Sequence, residues 1–136
     1  MALHFVPHAG TVVACDYDLG RSVSIAGEMS KRRPVVVVSR HSAQGGPYLV
    51  VPLSTTVPLH ADRTHHRIPI GSYDFLRSSA DTWAKAAMVG AVGGQRLDRL
   101  RHRGRHFAPR LRAADLHAIR LAVIHAVGAH PLLGTG

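Results

Sequence analysis

KRRPVVVVSR, residues 31–40, sets Lys31, Arg32 and Arg33 against Pro34 and then runs into four consecutive valines. β-Branched residues fit a pleated strand. An unbroken apolar run, in place of alternation, is the pattern of a strand buried on both faces. Proline has no N–H for a ladder and is tolerated at a strand's first position. The stretch therefore predicts a buried strand over 34–40 with dense positive charge at its threshold. A cation fixed to the start of a rigid strand is a preorganised partner for an anion.

Outward from this strand, the first ninety or so residues read as short strands separated by turn chemistry. GTVVACDYD (10–18) is a strand opening on Gly10, and YLVVPLS (48–54) is another. HHRIPIG (65–71) is a weaker one, and WAKAAMVGAV (83–92) reads as a further strand with Met88 and Val89 in the core. Trp83 at its start reads as a core residue or as a surface for stacking a base. Between the first two strands, 19–33 is polar, glycine-bearing and too irregular for a helix. RLRAADLHAIRLAVIHAVGAH (110–130) has near-helical apolar spacing, Asp115 in its first turn and Gly128 as a stop. The pattern predicts a mainly β, α+β fold: a compact antiparallel sheet or barrel with one long C-terminal helix. QRLDRLRHRGRHFAPRLR (95–112) carries seven arginines and one acid. It reads equally as a solvated connector and as a patch facing nucleic acid.

A chain of 136 residues suffices for one domain with its own core, so 1–136 is expected to be a single domain. Cys15 is the only cysteine, which excludes an intrachain disulfide; within TVVAC it reads as a small buried residue. MALHFVPHAG has neither a charged leader nor a long apolar stretch, and VVVV and LAVI are far too short to span a bilayer. A soluble, cytoplasmic protein is expected. Seventeen Lys and Arg against eight Asp and Glu give +9, and fifteen of the cations are arginine. Arginine's planar fork grips phosphate bidentately and stacks on bases. This balance favours a polyanionic partner, RNA or DNA well before a membrane.

Glu28, Lys31, Arg32 and Arg33 are spaced so that at least two point into a common cleft. VPLSTT (51–56) ends the third strand with Ser54, Thr55 and Thr56. If strands two and three are antiparallel neighbours, Arg33 and Ser54 share one edge of the sheet; the alternative is that the hydroxyls simply make a turn. His102 and His106, like His65 and His66, lack acidic or cysteine partners, so no metal site is expected. His60, His65 and His66 read as exposed loop residues or as an acid or base near the hydroxyl cluster.

Four motifs in order, the Gly10 strand ending in Asp16-Tyr17-Asp18, GEMSKRRPVVVVS, VVPLSTT and TWAKAAMVGAVGGQRLDRL, followed by the ADLHAIRLAVI helix, resemble the PemK/MazF toxins of type II toxin–antitoxin modules over about residues 8–127. The resemblance implies a small SH3-like β-barrel with a C-terminal helix that acts as a metal-independent, sequence-selective endoribonuclease. RNA's own 2′-hydroxyl would attack, leaving a cyclic 2′,3′-phosphate and a free 5′-hydroxyl. It also implies a homodimer, a cognate and acidic antitoxin, and no cofactor. Carried onto this chain, it makes Arg33 the principal catalytic cation, Ser54 a phosphate-contacting or acid–base-assisting hydroxyl and Glu28 the acidic loop position. Lys31, Arg32, Thr55 and Lys85 are the implied RNA contacts. Kid-like members pair a basic residue near Lys85 with an aspartate two positions on, where this chain has Ala87. Either Glu28 or a histidine then takes the place of that base, or the protein is slow or inactive. The rival readings are a non-enzymatic toxin of the same fold, like the gyrase-trapping CcdB proteins, and a nucleic-acid-binding module without turnover.

Overall fold

A computed structural model of the chain describes residues 3–18, 32–76 and 79–134. Nine strands and one α-helix make up the described residues: β1 (Val12–Asp16), β2 (Arg32–Val37), β3 (Tyr48–Ser54), β4 (His65–Ile68), β5 (Thr82–Lys85), β6 (Gly90–Val92), β7 (Leu97–Asp98), β8 (Leu100–His102), β9 (Arg105–Phe107) and α1 (Ala113–Ala126). Seven of the strands form one antiparallel sheet in the order β4-β5-β3-β2-β1-β7, with β6 also on β3; β8 and β9 form a separate hairpin. The expected antiparallel sheet with a C-terminal helix is what is found.

The sheet's centre is β2. Val35 to Val38 are all buried, and they divide between two cores. Val36 and Val38 join Val12, Val51, Leu53 and Ile119 on the face covered by α1, while Val35 and Val37 join Val13, Cys15, Val50 and Leu97 on the other. The unbroken valine run thus serves two cores at once. The strand begins two residues earlier than expected, so Arg32 and Arg33 are part of the ladder instead of standing before it. Cys15 is fully buried, and burial pushes its thiol up to about 11.

The expected single strand over 83–92 is two strands. β5 pairs with the end of β3 (Leu53↔Ala84, Ser54↔Trp83) and β6 with its beginning (Tyr48↔Val92, Val50↔Gly90). Between them the chain leaves the ladder for a 3-10 turn, Ala86–Met88. The skipped stretch of β3 contains Pro52, which has no N–H to offer a neighbour. Ala87 and Met88 are lifted out by the turn, and Met88 is 36% exposed instead of lying in the core. Trp83 is half-buried, with the His65 ring packed edge-on against it.

Gly10 precedes β1 with φ +91°, a conformation costly for other residues. Its N–H donates to the Val37 carbonyl and its carbonyl accepts from Leu111, tying β1, β2 and the approach to the helix together. Helix α1 packs Ile119 and Ala122 onto the sheet and is followed by Gly128 at φ +73°, the expected stop. Its N-terminus is clamped from outside. Asp115 in the first turn takes a hydrogen bond from the Tyr73 hydroxyl and sits 2.8 Å from His66 Nε2, while the Arg112 amide donates to Tyr73. Burial raises the Asp115 carboxyl, but Tyr73 and His66 outweigh it and hold it below the usual carboxylate range.

A depressed folded value means that the stabilisation from Asp115 is complete at neutral pH and is lost as pH falls through that value. In urea unfolding, Asp115→Asn should lower the midpoint clearly at pH 7 and progressively less towards pH 2.5. A constant gap across the range would show that the carboxylate's charge does not hold the helix.

Candidate functional site

A cleft of about 520 Å³ opens where β2 begins and β3 ends. Its floor is apolar, from Val12, Ala14, Leu53 and Leu100. Around it stand Arg32 and Arg33 of β2, Ser54 with Thr55 and Thr56 after it, and Thr82 of β5. Arg101, His102 and Phe107 close it from the β8–β9 hairpin. Three guanidiniums, an imidazole and four hydroxyls thus line the cleft, and no carboxylate does among the described residues. Such a lining attracts an anion that also has apolar surface.

β2 and β3 pair antiparallel as Val36↔Val51 and Val35↔Pro52, where the ladder ends. Past that point Arg32, Arg33 and Ser54 all border the cleft. Arg33 pairs with Cys15 of β1, and its charge acts on Tyr17. Burial pushes the Tyr17 hydroxyl strongly up, Cys15 adds to that, and the Arg33 guanidinium pulls it partly back. Arg32 belongs to the opposite face, crosses β1 and donates to Asp98 of β7 at 3.3 Å. Adjacent arginines are therefore separated by the pleat, Arg32 reaching Asp98 and Arg33 lying opposite Cys15.

Both readings of the VPLSTT hydroxyls hold. Ser54 Oγ accepts the Thr56 amide at 3.0 Å, closing a turn, and the residue borders the cleft. Because the oxygen accepts there, its own proton remains available to donate. Thr55 borders the cleft too. Lys85 is not among the residues that line it, and lies opposite His65. Glu28 and Lys31 fall outside the described residues.

The expected histidines lie elsewhere. His66 is taken up by Asp115, His65 faces Asp62 at 3.2 Å, and His60 is exposed outside the cleft lining. The histidine at the cleft is His102. It stands on β8, which the sequence hides in an arginine-rich run. The missed signal is Arg103-Gly104: both residues have positive φ (50° and 76°), as a two-residue hairpin turn of the primed type requires. Asn-Gly or Asp-Gly announces such a turn; Arg-Gly does not. The arginines of 95–112 accordingly serve different ends. Arg96 donates to the Asp16 and Tyr17 carbonyls at 3.2 Å and caps β1, Arg112 lies over the Tyr73 ring, and Arg101 is at the cleft.

The family described as PemK-like, MazF-like toxin of type II toxin–antitoxin system matches residues 8–127. Among solved structures, the chain is similar to an endoribonuclease from a mycobacterial species in complex with its cognate antitoxin: TM-score 0.60, 21% identity, 90% of this chain and 96% of that one covered. It is similar to a second mycobacterial endoribonuclease (TM-score 0.60, 20% identity, 91% and 93% covered). The Mycobacterium tuberculosis toxin MazF-mt6 also matches, with TM-score 0.57, 18% identity, and 87% and 96% covered. At these identities the likeness is one of fold. No curated protein sequence matches the chain significantly.

The Arg32–Asp98 pair is half open to solvent on the arginine side, and exposed pairs contribute about 0–1 kcal/mol. Arg32→Ala should therefore unfold within about 1 kcal/mol of the unaltered protein in chemical denaturation. A loss of several kcal/mol would make Arg32 a structural residue and not a cleft one.

Proposed function

Because the chain belongs to the PemK-like, MazF-like toxins of type II toxin–antitoxin systems, we propose that its cleft is the active site of a metal-independent endoribonuclease. The observation that supports this reading is that Arg33 and Ser54 both border one cleft that is cationic among its described residues. In-line attack by a 2′-hydroxyl on the adjacent phosphorus passes through a phosphorane bearing extra negative charge. A guanidinium held by a strand buried on both faces meets that charge without reorganising. Ser54, its oxygen already accepting from Thr56, donates a hydrogen bond to a non-bridging oxygen and keeps its proton. The 2′-oxygen–phosphorus bond forms as the bond to the 5′-oxygen breaks, so the products are a cyclic 2′,3′-phosphate and a 5′-hydroxyl.

One proton must leave the 2′-hydroxyl and one must reach the 5′-oxygen. Arginine is a poor proton donor. His102 at the cleft is suited to one transfer, since imidazole both accepts and gives a proton near neutral pH. Glu28 remains the candidate for the other, on the strength of the family resemblance. Lys31, Arg32, Thr55 and Lys85 are assigned to RNA contact, Arg32 and Thr55 being the two at the cleft. Among the described residues no three His, Cys, Asp or Glu side chains converge as a metal site would need.

The partner is a cognate antitoxin whose acidic segment covers the arginine-lined cleft, and the working unit is a homodimer. Exposed Val127, Leu132 and Leu133, at and beyond the end of α1, supply apolar surface for such contacts. No helix among the described residues is long and apolar enough to cross a membrane. The cytoplasm, where RNA and an antitoxin would meet it, is the compartment proposed for the chain.

Incubation with mixed RNA in EDTA tests the reading through the chemistry of the new ends. Cleavage should persist, with 5′-hydroxyl and cyclic-phosphate termini. Arg33→Ala should reduce it by roughly 10²–10³-fold, the usual cost of removing a preorganised donor to a developing oxyanion. Ser54→Ala should fall well below the unaltered enzyme with its fold intact. RNA bound but never cut would leave only the binding-module reading.

A further inference from the structure

A second cavity, of about 600 Å³, lies beside the cleft. Phe75, His102 and Phe107 border both, so the two are neighbouring rooms with one wall. The second is completed by Arg105 and His106 of β9, Pro109 and Asp74. The hairpin register explains the wall: Leu100 faces Phe107 and His102 faces Arg105, which puts all four on one face of the ribbon. Leu100 packs against the main core and anchors that face. The two-residue turn at Arg103-Gly104 keeps the ribbon short and its register fixed.

From this arrangement we infer that the second cavity is a nucleobase subsite, which takes an unstacked base of the RNA next to the phosphate held in the cleft. The inference rests on the endoribonuclease reading above. Aromatic rings with arginine and histidine form the surface on which single-stranded bases stack. Proteins read single-stranded RNA by splaying out such bases. The volume suits a base and its ribose. Asp74 decides between base and phosphate. A carboxylate in the wall repels a phosphate but accepts hydrogen bonds from base N–H groups, and Arg105 can donate to base acceptors. The cleft, whose described lining contains no carboxylate, keeps the phosphate, and the room with Asp74 receives the base. Selectivity for a nucleotide flanking the cut is the consequence.

The test begins with the unaltered full-length protein, whose cleavage sites on mixed RNA supply a preferred sequence. That sequence is made as a 2′-O-methyl, non-cleavable oligonucleotide, and abasic sites are placed one at a time within four nucleotides of the scissile position. Binding is read by fluorescence anisotropy. One flanking position should stand out, where loss of the base weakens binding about tenfold or more. In Asp74→Asn/Arg105→Ala/His106→Ala that position should become silent, intact and abasic oligonucleotides binding alike. His106→Ala alone, at an exposed position, should give a smaller loss of the same kind if the triple variant folds poorly. Equal weakening of intact and abasic RNAs would mean general charge steering and would overturn the subsite. So would a variant that binds every RNA normally but loses its cognate antitoxin, because the cavity would then belong to a protein partner. A protein that cuts no RNA at all would instead overturn the endoribonuclease reading, so the two failures are distinguishable.

Discussion

The structure depends on one strand buried on both sides and on what fixes its register. Four valines in a row satisfy two cores, but identical residues cannot by themselves say how far the strand should slide. The ends of β2 say it. Sliding one way by one residue draws Ser39 into the place of a buried valine; sliding the other way draws in Pro34 and, after two residues, Arg33. Burying an unpaired charge or hydroxyl costs several kcal/mol, a large part of a small domain's whole stability. Ser39 strengthens the stop at its own end, where its hydroxyl accepts the Leu49 amide at 3.2 Å. A slip would also turn each side chain to the opposite face. The same constraint therefore builds the core and sets Arg32 and Arg33 on opposite faces of β2 where it borders the cleft.

The rest of the site follows from how charge is distributed around that strand. The pleat sends Arg32 to Asp98 and sets Arg33 opposite Cys15, and both arginines border the cleft with Ser54. The arginine-rich stretch after β7 is divided in the same way between structure and surface: Arg96 caps β1 and Arg112 covers Tyr73, while Arg101 and Arg105 face the two cavities. A net charge of +9 is thus partly a framework of guanidiniums bonded to carbonyls and partly a field presented at one end of the sheet.

Much of this was legible in the sequence where local chemistry and tertiary context agree. The valine run, YLVVPLS and the 110–130 periodicity each have one reading, and the antiparallel neighbourhood of 34–40 and 48–54 was enough to bring Arg33 near Ser54. Where a single residue altered the ladder, the sequence misled. Pro52 breaks the pairing of a neighbouring strand, so WAKAAMVGAV reads as continuous although a 3-10 turn interrupts it and exposes Met88. The β8–β9 hairpin was hidden for a related reason. Arg103 takes a left-handed conformation more usual for asparagine, and with it went the signal that would have placed His102 at the cleft. His66 pointed the wrong way because its partner, Asp115, lies 49 residues further along the chain.

The most direct measurement of this account compares Arg33→Ala with Arg32→Ala on one RNA under identical conditions. Neighbours in sequence and alike in charge, both border the cleft, but they lie on opposite faces of β2 and Arg32 is bonded to Asp98. Loss of roughly a hundredfold or more in cleavage rate for Arg33→Ala, with less than about tenfold for Arg32→Ala, is the result expected if Arg33 is the catalytic cation. Equal losses, or the larger loss in Arg32→Ala, would contradict it.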